Sequence, residues 1–211
     1  MHNNSDNFRH LIRKHSESPQ QGQSGNSFKN QPKDEHKFTD SLSNYVKNSV
    51  ISESQVILVR ELLKRKDPAK ARELKSSTMS ILINDSNIGV RKMIAWAYQF
   101  PASTKDSVVS LSSRLEKERN WIVKQEIISS LVEIGSAIKE KNDLKFTIMG
   151  EVFAYLNDNR HPVRISAIHG VIKLGITEAR YKIQEMSATD PVQSVREKAR
   201  LAFEKISEES L

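Results

Sequence analysis

The sequence of 211 residues contains no cysteine, and it has only 7 glycines and 6 prolines. Without cysteine the chain has no disulfide, no thiolate nucleophile and no cysteine-ligated zinc, as is typical of proteins in a reducing compartment. No run of residues approaches the ~20 apolar residues that a membrane span requires, and the polar N-terminus lacks the apolar core of a signal peptide. We therefore expect a cytoplasmic protein that does not contact a membrane.

Neither sign of charge dominates the composition. The 33 lysines and arginines exceed the 26 acidic residues by a formal net charge of +7. This excess is much weaker than the dense basic surface of a dedicated nucleic-acid binder. Hydrophobic residues make up 37% of the chain and charged residues 28%, which is the balance of a soluble globular protein of one or two domains.

The N-terminal segment, residues 1–40, is composed mainly of Asn, Ser, Gln, Gly, Lys and His. Such a segment buries too little apolar surface to offset the entropy of ordering it, so we predict a disordered polar tail. Its one apolar group is Phe8, Leu11 and Ile12, next to basic residues. A short docking helix is the alternative interpretation of this group.

Beyond Asp40 the apolar residues recur with helical spacing and almost no strand-like alternation, which predicts an all-α fold. Several helix starts are indicated. Ser52 and Gln55 have the spacing of a capping box, and Asp67 and Asp190 each precede a proline, as an N-cap residue precedes a proline in the first helical turn. We expect residues 41–66 to form N-terminal capping helices.

The remaining residues, 67–211, contain an internal repeat. Four segments open with valine and a cation, and we call the predicted helices B helices: VRKMIAWAYQF from Val90, VKQEIISSLVEIG from Val123, VRISAIHGVIKLG from Val163 and VREKARLAFEKI from Val195. The valines are 33, 40 and 32 residues apart, the scale of a two-helix solenoid unit. The seventh residue after each valine is small, as expected where another helix passes close: Ala97, Ser130, Gly170 and Ala202.

An amphipathic segment, the predicted A helix, precedes each B helix. The first contains Ala71, Leu74, Ile81 and Leu82. A lone pair of A and B helices exposes apolar surface on both flanks, so stacking of successive pairs is what makes each pair stable. The sequence therefore predicts a superhelix of stacked antiparallel helix pairs.

An acidic residue lies six positions before the cation of every B helix. The four pairs are Asp85 and Arg91, Glu118 and Lys124, Asp158 and Arg164, and Asp190 and Arg196. An acid in the turn between A and B helices reaches a cation of the adjacent repeat, and the charge-assisted contact fixes the stacking register. A catalytic or phosphate-binding row is the alternative interpretation of these ions.

These features resemble HEAT repeats, particularly the short HEAT-like type found in bacteria. The likeness extends from about Asp67 to Ile206 and is clearest in DNRHPVRISAIHGVIKLG and DPVQSVREKARLAFEKI. Two departures are Pro101 where the pattern has glycine and Lys124 where it has arginine. The resemblance implies an α-solenoid whose B helices line a concave surface, used mostly for binding protein partners.

On the predicted B-helix wheel, the second, sixth and ninth positions after the valine point outward onto the concave surface. The candidate partner-binding residues among them are Lys92, Trp96, Ile165, His169, Ile172 and Leu201. Large apolar side chains in such a row are typical anchors for a partner helix or an extended peptide. The alternative is that another part of the chain covers them.

A basic patch near the N-terminal end of the repeats contains Arg60, Lys64, Arg65, Lys66, Lys70, Arg72 and Lys75. Such a patch is either a solvated surface or a contact for nucleic acid or an acidic protein. HEAT-like DNA glycosylases resemble this chain in repeat form and basic charge, but their chemistry needs a concave carboxylate near aromatic residues. Four residues beyond Trp96 and Trp121 lie Phe100 and Gln125 instead.

The sequence contains no glycine-rich phosphate loop, nucleophile elbow or zinc-binding helix motif. We expect a non-enzymatic protein with no catalytic residue, no bound metal and no cofactor. Its predicted partner is another protein, and nucleic acid is the less favoured alternative.

Overall fold

The computed structural model describes residues 42–100, 104–140 and 142–208, so the predicted tail at 1–40 lies outside it. These residues form eleven α-helices and no strand, which confirms the all-α prediction for this part of the chain. The helices are α1 (42–47), α2 (Glu53–Lys64), α3 (Pro68–Arg72), α4 (Ser76–Leu82), α5 (Ile88–Ala97), α6 (Thr104–Lys117), α7 (Trp121–Ala137), α8 (Asp143–Ala154), α9 (His161–Leu174), α10 (Arg180–Thr189) and α11 (Gln193–Glu208).

Two short 3-10 helices, Tyr155–Asn157 and Thr177–Ala179, follow α8 and precede α10. None of the helices in the described ranges is both long and apolar enough to cross a bilayer.

The chain divides into two compact units, with the boundary inside α7 between Ile127 and Ile128. In the first unit the fully buried side chains include Leu62 of α2, Met79 of α4, Ile94 of α5 and Leu111 of α6. In the second unit α9 packs against α8 and α11, and α10 packs against α11. Its core contains Ile148, Val152, Ile168, Val171 and Ile183.

Helix starts follow the sequence signals only in part. Asp67 is the N-cap of α3, where its carboxylate accepts the N–H of Ala69 at 2.9 Å. Asn87 caps α5 by accepting the N–H groups of Gly89 and Val90. Ser52 lies at the N-cap of α2, but its side chain makes no capping bond, so the predicted capping box is wrong.

The first predicted A helix consists of two short helices, α3 and α4, joined at Glu73 to Lys75. The side chain of Gln55 bonds the backbone at this break, donating to the Glu73 carbonyl at 3.2 Å and accepting the Lys75 N–H at 2.8 Å. The amide thus pairs with backbone groups that a continuous helix would satisfy itself. Gln55 serves this break and not the N-terminus of its own helix.

In the second unit, neighbouring side chains leave no room for a side chain at Gly170 of α9. A Cβ atom added there would lie 2.7 Å from Val132 Cγ2 and 2.7 Å from Val152 Cγ1. Only glycine fits without displacing these branched side chains. The helix ends at Gly175, whose φ of 64° is the left-handed conformation that glycine adopts without strain.

Candidate functional site

Four turns of the structure share one arrangement of an acidic side chain. We call the residues Asp85, Glu118, Asp158 and Asp190 the turn acids. In each turn a carboxylate oxygen accepts the backbone N–H two residues later: Asn87 to Asp85 at 2.7 Å, Asn120 to Glu118 at 2.8 Å, Arg160 to Asp158 at 2.8 Å and Val192 to Asp190 at 3.0 Å. The bond closes the turn locally, as acidic side chains commonly do.

For Asp190 this arrangement replaces the predicted cap. The helix after it, α11, begins at Gln193 and not at Pro191, so Asp190 is not its N-cap residue. Its oxygen Oδ1 accepts from Val192, and its remaining acceptors are used by two arginines. The prediction that Asp190 caps a helix starting at the proline is therefore wrong.

Three helix arginines bind the backbone of the turn that precedes their own helix. In each case Nη1 donates to the carbonyl of the turn acid six residues earlier. The distances are 2.7 Å from Arg91 to Asp85, 2.9 Å from Arg164 to Asp158 and 2.6 Å from Arg196 to Asp190. The spacing of six residues in the sequence therefore joins an arginine to the backbone of its own turn acid.

Two of these arginines also bind the carboxylate of the following turn acid. Nε and Nη2 of Arg91 donate to the two oxygens of Glu118 at 2.8 and 3.2 Å. The same atoms of Arg164 donate to Asp190 at 2.8 and 2.7 Å. We call each a bidentate arginine pair. Because one guanidinium bonds two successive turns, it fixes their spacing.

Both bidentate pairs are buried. The side chains of Arg91 and Glu118 are 10% and 2% exposed, and those of Arg164 and Asp190 are 10% and 5% exposed. Burial removes competing water, so a broken pair leaves a charge without solvation. Each pair is thus an internal contact between two turns of the same unit.

A second arginine at Glu118 was missed by sequence reasoning. Arg114 of α6 donates through Nη2 to Glu118 Oε2 at 2.7 Å, and the spacing of four residues on one helix was the available signal. Burial alone would raise the pKa of Glu118. Hydrogen bonds from Arg91, the Asn120 backbone and Arg114 outweigh it and lower the pKa to about 2. Glu118 is therefore ionised throughout the neutral range.

The first turn acid, Asp85, is 2% exposed and is bonded by a tyrosine. Burial raises the pKa of Tyr45 in α1, and the negative charge and hydrogen bond of Asp85 raise it further. Tyr45 thus gives Asp85 a hydrogen bond of the kind that arginine gives to Glu118 and Asp190. It lies in the segment that the sequence predicts as an N-terminal cap, although no sequence pattern indicated this contact.

The carboxylate of Asp190 does not pair with Arg196, the cation six residues later in the sequence. Arg196 is half-buried and bonds the carbonyl of Asp190, while the Asp190 carboxylate bonds Arg164. Lys124 and Asp158 both have electrostatic or hydrogen-bonding partners.

The predicted partner-binding residues differ in exposure. On α5, Lys92 and Trp96 are half-buried. In the second unit Ile165 and Ile172 are half-buried, and His169 and Leu201 are exposed, with 48% of Leu201 accessible. Partial burial lowers the pKa of His169, and the charge of Lys198 lowers it further, so the imidazole is neutral at physiological pH.

Trp96 lies in a row of aromatic and cationic side chains. Lys66 Nζ is 5.3 Å from the centroid of the Trp96 ring, and the Phe100 ring lies 4.9 Å from it in an edge-to-face arrangement. The guanidinium carbon of Arg72 is 5.6 Å from the centroid of Phe100. Both distances are within the range of cation–π interactions. The role of Phe100 in this row was not predicted.

The basic patch is partly neutralised by acids of the same chain. Lys66 pairs with Glu126 at 2.7 Å, and Lys70 bonds Glu61, which raises the pKa of Lys70. Arg60 donates to Ser43 at 3.0 Å. The exposed cations of the patch that form no ion pair with a described residue are Lys64, Arg65, Arg72 and Lys75. The patch is therefore a mixed surface and not a continuous row of free cations.

No cluster of three histidine or acidic side chains in the described ranges has the arrangement of a metal site. The chain matches no protein-family model and no curated protein in sequence comparisons.

Proposed function

We propose that this protein is a non-enzymatic α-solenoid of HEAT-like repeats that presents its B-helix surface to a partner protein. The bidentate arginine pair is the observation that carries the proposal. It occurs in each unit with the same atoms, Arg91 with Glu118 and Arg164 with Asp190. A contact that joins one turn to the next within each unit is what a stack of repeats needs to keep its register.

Rigid display is the proposed mechanism of binding. Each bidentate pair restrains two turns, so the helices between them hold their surface side chains at a fixed spacing. A preorganised surface loses less conformational entropy when a partner docks. The half-buried Trp96, Ile165 and Ile172 and the exposed Leu201 are of the residue types and exposure that serve as anchors for a helix or an extended peptide.

Nucleic-acid binding through the basic patch receives less support. Each phosphate contact needs a free cation, but Lys66 and Lys70 are already paired with Glu126 and Glu61. A salt titration with duplex DNA distinguishes the two functions, because a DNA affinity that falls steeply with rising salt supports nucleic-acid binding.

Replacing Leu201 or Trp96 by alanine is expected to lower capture of the native partner about tenfold, which corresponds to about 1.4 kcal/mol for each lost anchor. The measurement is quantitative pull-down from an extract of the native cell, treated with nuclease, with the full-length chain as bait. Leu201 is the safer site, because its side chain is 48% exposed and alanine removes little buried surface there.

Val109→Ala is the matched control, because Val109 is 60% exposed on α6, outside the predicted row. It should capture the partner as the unmodified chain does. Circular dichroism checks that all variants keep their helix content. Undiminished capture by both Leu201→Ala and Trp96→Ala would contradict the proposed surface.

A further inference from the structure

Cations and aromatic rings from three segments meet on one flank of α5. We call this group the α5 strip: Lys92 and Trp96 on α5, Phe100 in the turn after it, Lys66 before α3 and Arg72 at the end of α3. We infer that the α5 strip binds an acidic peptide segment that carries an apolar side chain between its carboxylates. This inference rests on the proposed function, since the segment would belong to the partner protein.

The strip is held in shape by contacts within the chain. Lys66 lies against Trp96 and pairs with Glu126, which is 60 residues distant in the sequence. Arg72 lies against Phe100, whose ring packs edge-to-face on Trp96. The rings and cations are therefore positioned before a ligand arrives, which lowers the entropy cost of binding.

Two cations of the strip have no acidic partner. Arg72 donates only to the Pro68 carbonyl, at 3.4 Å, and Lys92 pairs with no acid among the described residues. The indole N–H of Trp96 also bonds no described residue. Arg72 lies beside the Phe100 ring, and Lys92 lies one helical turn before Trp96. Two unpaired cations therefore flank the aromatic rings, which is the complement of carboxylates next to an apolar group.

The surrounding charge has the same sign. Residues 60–75 contain 7 basic and 3 acidic side chains, a local net charge of +4. Such a surface attracts an acidic segment and speeds its association. Because Lys66 is already paired with Glu126, only part of the strip is free to bind an anion, which suits a short acidic segment better than a continuous phosphate backbone. The charge distribution therefore favours a short acidic peptide.

Tryptophan fluorescence tests the inference directly. The chain has two tryptophans, so Trp121→Phe leaves Trp96 as the only tryptophan, which is excited selectively at the red edge of the absorption band. The probe is a blocked ten-residue peptide, EELEEFEELE, titrated into the full-length variant at physiological salt. We expect a saturable change of Trp96 emission with a dissociation constant of roughly 10–100 μM, as for a short flexible ligand.

Added to the Trp121→Phe chain, Arg72→Gln and Lys92→Gln are each expected to weaken binding of the acidic peptide at least fivefold. Lys205→Gln is the matched control, because Lys205 is an exposed lysine on α11 outside the strip, and it should leave the affinity unchanged. A peptide with glutamine in place of every glutamate should not bind measurably, because its carboxylates are gone.

Three results would overturn the inference: equal affinity for the glutamine peptide, full affinity in both Arg72→Gln and Lys92→Gln, or tighter binding of a 15-nucleotide oligo(dT) than of the acidic peptide. Because the probe is synthetic, its outcome is independent of partner capture. Capture of the native partner by a chain that fails to bind the peptide would refute the strip and leave the proposed function standing.

Discussion

Replacing Arg164 by methionine is expected to lower the free energy of unfolding by about 3–5 kcal/mol, the usual cost of breaking a buried ion pair from one side. The substitution removes two bonds to the Asp190 carboxylate and one to the Asp158 carbonyl. Asp190 is only 8% exposed, so its charge remains without adequate solvation. Methionine retains much of the volume of arginine, which limits the contribution from lost packing.

Arg196→Met is the matched control because Arg196 occupies the equivalent position on α11. Arg196 bonds the Asp190 carbonyl at 2.6 Å but forms no bidentate pair with any residue that the structure describes. Its replacement should cost about 1 kcal/mol, the net value of one hydrogen bond. Urea unfolding followed by circular dichroism measures both variants. Equal losses would show that the bidentate pair contributes nothing beyond the bond to the turn.

Gly170→Leu is expected to destabilise the chain by at least about 3 kcal/mol, at or beyond the upper end of overpacking costs. The added Cβ alone would lie 2.7 Å from methyl groups of Val132 and Val152, and leucine adds three further carbons. Branched valine side chains in a packed core have no free rotamer that would relieve the contact. Thermal or urea unfolding measures the loss.

Gly175→Ala separates packing from backbone effects. No atom lies within 4 Å of a Cβ added at Gly175, and its φ of 64° is the only source of cost. The expected loss is about 1–2 kcal/mol, from the left-handed conformation alone. If Gly170→Leu were no more destabilising than Gly175→Ala, the close approach of α9 to its neighbours would be wrong.

The helices and the bonds of the turn acids were predictable because their signals are local. The spacing of six residues between acid and cation is set by one turn and the start of one helix, and in three places it corresponds to a bond between Arg91, Arg164 or Arg196 and its own turn. The periodicity of apolar residues likewise depends only on helix geometry. Both patterns can therefore be recognised from the sequence alone.

Contacts between distant residues were not predictable from these patterns. Gln55 resembled a capping residue because it lies three residues after Ser52. Its amide instead bonds the backbone between α3 and α4, 18 to 20 residues later. Tyr45 with Asp85 and Lys66 with Glu126 likewise join segments far apart in sequence. Tertiary contacts of this kind compete with local preferences and leave no periodic trace.

The sequence predicted which residues form the candidate surface, but it did not predict their neighbours in the structure. The helical wheel placed Trp96 and Lys92 on one flank of a B helix, where the structure leaves them half-buried. It did not indicate that Lys66, Arg72 and Phe100 would lie around the indole, because two of these come from a different segment of the chain. The chemistry of the α5 strip depends on those neighbours.

The hydrogen bonds that Glu118 accepts from Arg91, the Asn120 backbone and Arg114 make stability depend on pH. The pKa of Glu118 is lowered from 4.5 to about 2 in the folded chain. The contribution is therefore complete above about pH 5 and is lost as the pH falls through 4.5 toward 2, with a total on the order of 3 kcal/mol. Replacing Glu118 by glutamine should remove this part of the acid sensitivity.

Direct titration of Glu118 tests whether buried arginine pairs join successive turns. In carbon-13 NMR of protein labelled at glutamate, with Glu118→Gln to identify the resonance, the Glu118 carboxyl should remain ionised at pH 3.5, and Arg91→Met should raise its pKa. Titration of Glu118 at or above 4.5, unchanged by Arg91→Met, would contradict the arrangement from which the proposed stack is built.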